Sequence, residues 1–459
     1  MRGKYKFYIW IVGFVSMFLH GKTDAQQALY PLLEKKSWSQ VLEENEYKWH
    51  PPYTINLLIH PLHSSDWIYL NPSMVVSRRH VIRNISSTNF EQRKKAESQE
   101  DLVVQFAFDN PPFIPDFRLT NLRLAEDKYP VATADYFAND IYYKIEYAAT
   151  VLDDSQTLLC LRVGAKNESD KIKQIMIRSK IGYYSENKMF DYHYIPYRWT
   201  NEKWKDYDQV VLKEHSIYKG QQLIGEVVSE NMNLFWEEKK SYTDKEYEDI
   251  LYPQVWYGSG YVTPEFRVKD MHRVVCAMKE VQPNDSAFFV LKLLVNDSLI
   301  TSFHEESLKQ LTFKDVKEKA IADFKVPFTD KTLKTEFKRD EWEDLFCSLQ
   351  LSTLQLLVND FQNKMYQPAQ GGSSERFFVW VFEAVQMLRP MLRTGQFESV
   401  KKSLDYIFSL QDAGFPPVGK FTTTSGAIGT TGPRWANTTG MALALACDYY
   451  LYSKDQQFM

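Results

Sequence analysis

Phe377-Phe378-Val379-Trp380-Val381-Phe382-Glu383-Ala384-Val385-Gln386-Met387-Leu388-Arg389-Pro390-Met391-Leu392-Arg393-Thr394-Gly395-Gln396-Phe397 is the stretch on which the fold turns. Phe377, Val381, Ala384, Val385, Leu388 and Leu392 recur at three- and four-residue spacing, the pattern of a helix with one buried face. Gly395 stops that helix, and another begins almost at once. Phe397, Val400, Leu404, Ile407 and Phe408 form its stripe, opposite Lys401, Lys402 and Asp405. Working outward, Asp340–Gln362 reads as a helix before this pair and Ala436 to about Tyr452 as one after it. The connections are very unequal: Tyr366–Arg376 and Gln411–Trp435 are long, whereas Thr394–Gly395 is minimal. In an antiparallel array every second connection emerges at the same end, so both long connections share one rim. Loops beyond about 12–15 residues in a compact domain are usually functional or disordered. Two of them on one rim predict a binding face.

Upstream the chain is β-rich. Thr54–Leu58, Leu102–Phe108, Asp140–Leu152, Thr157–Gly164, Ile172–Ile181, Val210–Leu212, Gln221–Glu226, Phe266–Met278 and Ser286–Leu294 all resemble strands, punctuated by Asn, Asp, Gly and Pro. Asp153-Asp154-Ser155-Gln156 reads as the turn of a hairpin. Many strands without intervening helices argue for an antiparallel β-sandwich over about residues 47–303. From His304 the composition shifts to Lys, Glu, Asp and Leu. Glu305–Phe324 and Thr332–Asp344 read as helical pieces split around Pro327, a linker whose charge is solvated. The fold class is therefore multidomain β + α, with strands and helices in separate blocks rather than interleaved. The divisions fall at 1–25 (leader), 26–303 (sandwich), 304–338 (helical linker) and 339–459 (helical array).

The 459 residues leave room for two or three domains, and 44% hydrophobic with 25% charged residues is ordinary for a globular protein. Aromatics reach 15%. They serve as core volume in a sandwich or as stacking platforms for sugars, and composition alone leaves both open. A net charge of −4 gives no electrostatic case for nucleic acid. Arg2, Lys4 and Lys6 precede an apolar run, Phe7–Leu19, and Thr23-Asp24-Ala25 supplies small residues for cleavage after Ala25. This reads as a secretory signal peptide, with no membrane span expected in the mature chain and a periplasmic or extracellular destination. Cys160, Cys276, Cys347 and Cys447 are dispersed, select no disulfide pair and show no metal-finger spacing. His60 and His63 are the closest histidine pair but lack a matching ligand set, so no metal is expected. HExxH, GxSxG, phosphate-loop and dinucleotide signatures are absent, and no cofactor is expected.

The long connections hold the candidate site. Glu375 and Arg376 stand before the first of the two paired helices, where Glu375 is either a ligand contact or a charge favoured by the helix dipole. Glu383 reads as a carboxylate within the apolar face near Val379 and Trp380. It either pairs with Arg389 or Arg393 or lines a polar cavity. In the second connection Gly426, Gly429, Gly432 and Gly440 permit close backbone approach. Arg434, Trp435 and Asn437 offer directional hydrogen bonds and a stacking face suited to a polyhydroxylated ligand. Trp435 is otherwise a loop anchor, and Asn437 otherwise an N-cap.

Trp380-Val381-Phe382-Glu383 resembles the Trp-x-Arg-Asp element on the first inner helix of bacterial six-hairpin glycosidase-like proteins. Phe382 stands where Arg is usual and Glu383 where Asp is usual. Gly432-Pro433-Arg434-Trp435-Ala436-Asn437-Thr438-Thr439-Gly440 is similar to the glycine-flanked start of that family's second inner helix, with Asn437 where many relatives carry Asp. The resemblance implies an N-terminal β-(super)sandwich, a helical linker and the first hairpins of an (α/α)6 toroid. It also implies that Glu375, Arg376, Trp380, Glu383, Arg434, Trp435 and Asn437 bind an oligosaccharide or polysaccharide. A complete toroid has twelve helices and four are visible, so the general acid and base are expected beyond Met459, as in a C-terminally shortened glycosidase. The expected function is that of an exported, glycoside hydrolase-like protein. A non-catalytic carbohydrate-binding or scaffold protein is the alternative, and a polysaccharide lyase a third. Oligomeric state is not legible.

Overall fold

A computed structural model describes residues 57–70, 74–80, 100–110, 112–115, 120–153, 156–185, 204–205, 210–238, 273–296, 300–329, 332–360, 364–369, 379–411, 428 and 436–458. The leader, Glu375, Arg376, Arg434 and Trp435 lie outside them, and of Asn437 only the backbone is described. The first half forms two antiparallel sheets. One takes β1 (Leu57–Leu58), β2 (Asp66–Leu70), β3 (Val76–His80), β4 (Glu100–Phe108), β9 (Lys173–Ser185), β10 (Trp204–Lys205), β14 (Asn233–Glu237) and β15 (Val274–Val281). Its order is β1-β2-β3-β4-β9-β15-β14, with β10 pairing β9. The other takes β5 (Asn121–Ala125), β6 (Tyr129–Ala138), β7 (Ile141–Asp153), β8 (Gln156–Asn167), β11 (Val210–Lys213), β12 (Ser216–Lys219), β13 (Gln222–Ser229) and β16 (Ser286–Leu294). Its order is β11-β12-β13-β16-β8-β7-β6-β5.

Side-chain alternation explains the packing of these sheets. Val104, Phe106 and Phe108 of β4 meet Tyr143, Ile145 and Tyr147 of β7 and Leu159, Leu161 and Val163 of β8 in one buried core. The intervening residues of β8, Leu158 and Cys160, point the other way, into a second cluster beneath two helices. A strand covered on both faces must be apolar at consecutive positions, which is why Leu158-Leu159-Cys160-Leu161 runs unbroken.

Those helices are α1 (Ser302–Gln310) and α2 (Phe313–Lys325), each opened by a capping box, Thr301/His304 and Thr312/Asp315. In α1 the His304 Nδ1 accepts from the Thr301 amide (3.1 Å). Its Nε2–H therefore donates to Asp153 (2.7 Å). Phe313, Val316, Ala320 and Phe324 of α2 are buried against Tyr129, Ala148, Leu158 and Val290. The charged segment is thus a cover for the second sheet, its apolar stripe inward and its Lys and Glu residues outward. Thr332–Lys338, expected as helix, contains no helix.

Next comes α3 (Asp340–Gln355), seven residues shorter at its C-terminus than the sequence suggests. Leu357–Asp360 (β17) and Met365–Pro368 (β18) instead pair as a hairpin, with Val358 opposite Gln367. Lys364 adopts a positive φ of 55° in the turn. The β-branched Val358, followed by Asn-Asp and Asn-Lys, favours this reversal over further helix. Three helices complete the described chain: α4 (Val381–Arg393), α5 (Phe397–Ser409) and α6 (Ala436–Ser453). Val381, Ala384, Val385 and Leu388 of α4, Val400, Leu404 and Ile407 of α5, and Ala442, Leu445 and Tyr449 of α6 share one core. The architecture is two antiparallel sheets followed by helices, mixed β and α. The described helices form an open array and close no toroid.

Candidate functional site

Cross-links set the directions of the last three helices. Gly395, with φ of 85°, turns α4 into α5, and the Gln396 amide donates to the Met391 carbonyl (3.0 Å). Linker residues fasten this end: the Leu333 amide donates to the Thr394 carbonyl (2.9 Å), and Gln396 Nε2 donates to the Pro327 carbonyl (3.2 Å). Lys401, early in α5, pairs with Asp455 just beyond α6 (2.7 Å), while Arg389, late in α4, pairs with Asp448, late in α6 (3.1 Å). The helices therefore run up, down, up. The N-termini of α4 and α6 share one end with the C-terminus of α5.

That end carries both long connections. The second is pinned at its middle: Ile428 bridges Gln411 at the exit of α5, and its amide donates to Thr439 Oγ1 in the first turn of α6 (3.1 Å). Ile428 is buried in the helical core, an anchor that sequence reading did not single out. A lone Ile among Gly and Thr was the available signal.

Trp380 is the half-buried N-cap residue of α4, with no side-chain cap hydrogen bond. Glu383 follows in the first turn. It is exposed, not set within the apolar face as the sequence reading placed it. The buried stripe at 381, 384, 385 and 388 leaves position 383 on the opposite side of a helix that turns every 3.6 residues. Arg389, its expected partner, is committed to Asp448. Phe382, beside Glu383, is also exposed.

Chemically, the rim presents two positive helix ends, an indole, a solvated carboxylate and the hydroxyl-bearing start of α6. Such a set suits a neutral, polyhydroxylated ligand better than a polyanion, because Glu383 offsets one of the helix ends. The Asp448 and Asp455 carboxylates belong to the opposite end of α6, where they pair with Arg389 and Lys401. Among the described residues no group of three His, Cys, Asp or Glu side chains is placed to hold a metal ion. The described cysteines are all free thiols: Cys160 and Cys276 are buried and Cys447 is exposed. Burial pushes the Cys160 thiol up to about 12, so it is inert. No described helix is long and apolar enough to cross a membrane.

No protein-family model matches the chain, and no curated protein does. Among solved structures it is similar to a bacterial glucoamylase crystallised in complex with acarbose, at 12% identity and a TM-score of 0.47. The alignment covers 87% of this chain and 56% of the glucoamylase, so the chain spans little more than half of that protein's length.

Proposed function

We propose that this is an exported, carbohydrate-active protein of glycoside hydrolase type, whose helical part contributes a sugar-binding rim at the start of an (α/α)6-type array. The observation that carries the reading is the convergence of two long connections and the N-termini of α4 and α6 at one end, with Trp380 and Glu383 there. In this reading Trp380 stacks on a sugar face, and Glu383 accepts hydrogen bonds from sugar hydroxyls. Glu375, Arg376, Arg434, Trp435 and Asn437 are further sugar contacts in this reading. Hydrolysis would need a carboxylic acid to protonate the leaving oxygen and a carboxylate to activate water. Neither role is assigned to a residue of this chain.

A second reading is a non-catalytic carbohydrate-binding protein: the first turns of α4 and α6 offer one carboxylate, Glu383, where hydrolysis needs two. Incubating the purified chain with a panel of oligosaccharides, and reading both reducing-end release and binding, separates the two. Turnover of any glycan supports the hydrolase. Glu383→Gln is then expected to weaken it about tenfold or more, the loss of one charge-assisted hydrogen bond. Binding without turnover supports the second reading. Products with the absorbance of an unsaturated uronate would identify a lyase, and a chain that neither binds nor cleaves any glycan would overturn the carbohydrate reading.

A further inference from the structure

The loop 59–65, between β1 and β2, joins the sandwich to the hairpin of β17 and β18 through two imidazoles. His60 is buried and stacks on Trp67, with ring centroids 5.5 Å apart and planes within 6°. Its Nε2–H donates to the Gln355 carbonyl at the end of α3 (3.1 Å), and Gln355 Nε2 donates back to the His60 carbonyl (2.6 Å). His63 stacks on Tyr366 of β18 (4.1 Å, 11°). Its Nδ1–H donates to the Leu357 carbonyl of β17 (3.0 Å), and its own carbonyl accepts the Asn359 amide (3.0 Å). Trp67 packs against Val358 and Ala369. On the sandwich side the loop is tied down by Ser64, whose hydroxyl meets Thr157 of β8 (3.3 Å).

Both rings donate one N–H to a carbonyl, which a neutral imidazole does while its other nitrogen stays bare. Adding a proton is costly at each. The His60 Nδ1 is buried and makes no hydrogen bond in the neutral ring; the Ile68 carbonyl of β2 favours a proton on this ring, but the cost of burial outweighs it. His63 is opposed by Lys402 of α5, whose ammonium lies 4.8 Å from the centre of the Tyr366 ring. We propose that loop 59–65 is a pH-sensitive latch, in which neutral His60 and His63 hold the β17–β18 hairpin on the sandwich and their protonation releases the hairpin.

The neighbouring charges do not cancel the cost. Asp66 of β2 attracts a protonated His60, but its carboxylate is held by Arg78 of β3 through Nε (3.0 Å) and Nη2 (2.9 Å) and accepts from Asn296 (3.4 Å). Lys402 repels a protonated His63 and is itself paired with Glu398 (3.4 Å). From α3, β17 and β18 the facing groups are the backbone carbonyls, the Gln355 amide and the Tyr366 ring. Burial is the main cause that lowers each histidine from 6.5 to about 4. A folded value below the unfolded one means that the open state binds more protons between these limits. The latch is therefore complete above about pH 6.5 and weakens as pH falls toward 4. Each histidine that regains an ordinary value on opening raises the opening constant about thirtyfold between pH 7.5 and 5.

The inference is independent of the carbohydrate reading. Amide hydrogen exchange of the full chain at pH 7.5 and 5, corrected for intrinsic chemistry, tests it. Peptides spanning 355–369 are expected to lose protection at pH 5 by tens-fold or more, while those of β7 and β8 keep theirs. In the double variant His60→Gln/His63→Gln, whose amides donate to the same carbonyls without titrating, that pH dependence should vanish. Protection lost equally from β7 and β8, or a pH dependence that persists in the variant, would overturn the latch. Should the variant not fold, nuclear magnetic resonance titration of the wild-type imidazoles decides. Rings that stay neutral to near pH 4–5 support the latch, and rings that titrate at their ordinary value while the chain stays folded sink it.

Discussion

Lys292 illustrates how much a single buried charge organises. It sits on β16 with its side chain almost wholly buried, 2.7 Å from the Glu226 carboxylate of β13. Its ammonium also reaches the carbonyls of Leu308, Lys309 (3.5 Å) and Leu311 (3.4 Å), where α1 ends. One cation thereby satisfies a helix C-terminus and a neighbouring strand. Lys292→Met keeps the stem but strands Glu226, and it should destabilise the fold by about 3 kcal/mol in urea unfolding, the scale for removing one member of a buried pair. Adding Glu226→Gln should recover part of that loss. A double variant no more stable than the single one would show that the carbonyls, not the ion pair, carry the effect. Position 292 reads in the sequence as one alternating member of a strand, and nothing local announces its partners. The histidines were illegible for the same reason: the acceptors of His60 and His63 lie 295 and 294 residues away. Glu383, by contrast, is a misreading that local pattern corrects: expected within the apolar face, it is exposed. The stripe read from the sequence already excludes it from the buried face, and its outward position follows from helical geometry alone.

At the scale of elements, the strongest apolar runs locate their strands and helices closely. The bounds of β7, β8 and β16 fall within three residues of the expected ones, and α4 and α5 follow their stripes. The failures are where tertiary contacts decide. Leu356–Met365 carries apolar residues at helical spacing, yet docking of loop 59–65 against β17 makes a hairpin the better use of its backbone groups. The strand β2 was missed for a related reason, since Trp67 is buried on the side facing the hairpin and breaks simple alternation. The last helix, α6, is apolar on both sides. Ala442, Leu445, Ala446 and Tyr449 face the core, while Leu443 and Leu451 are 53% and 60% exposed, with Cys447 between them also exposed. An exposed apolar stripe promotes association. The chain is expected to self-associate in light scattering at micromolar concentration. Leu443→Lys/Leu451→Lys should reduce this without lowering the melting temperature, because neither side chain packs in the core. A wild-type chain that remains monomeric would contradict the expectation.

For the molecule as a whole, α3 is the element that decides whether sandwich and helices behave as one. Leu351 belongs to the cluster that α1 and α2 form on the outer face of the second sheet. Leu354, one turn on, belongs to the core of α4, α5 and α6. Lys128 of the β5–β6 turn also grips the same helix through Asp344 (2.8 Å). A helix buried in two cores transmits the loss of either one to the other. At pH 7.5 the described body should therefore unfold in a single transition, with fluorescence and circular dichroism coincident. Leu351→Ala and Leu354→Ala each remove a fully buried leucine, so each should cost about 2–5 kcal/mol. Both should move that same transition rather than split it. Lowering the pH toward 5 weakens the second tie, the contact of loop 59–65 with β17 and β18, and so shifts more of the coupling onto α3. Leu354→Ala, mild in its effect on cooperativity at pH 7.5, should then divide unfolding at pH 5 into an early helical and a later sandwich step. If Leu354→Ala already splits the transition at pH 7.5, α3 rather than the histidine loop is the principal coupling. If the transition stays single at pH 5, the two cores are joined by contacts that do not titrate.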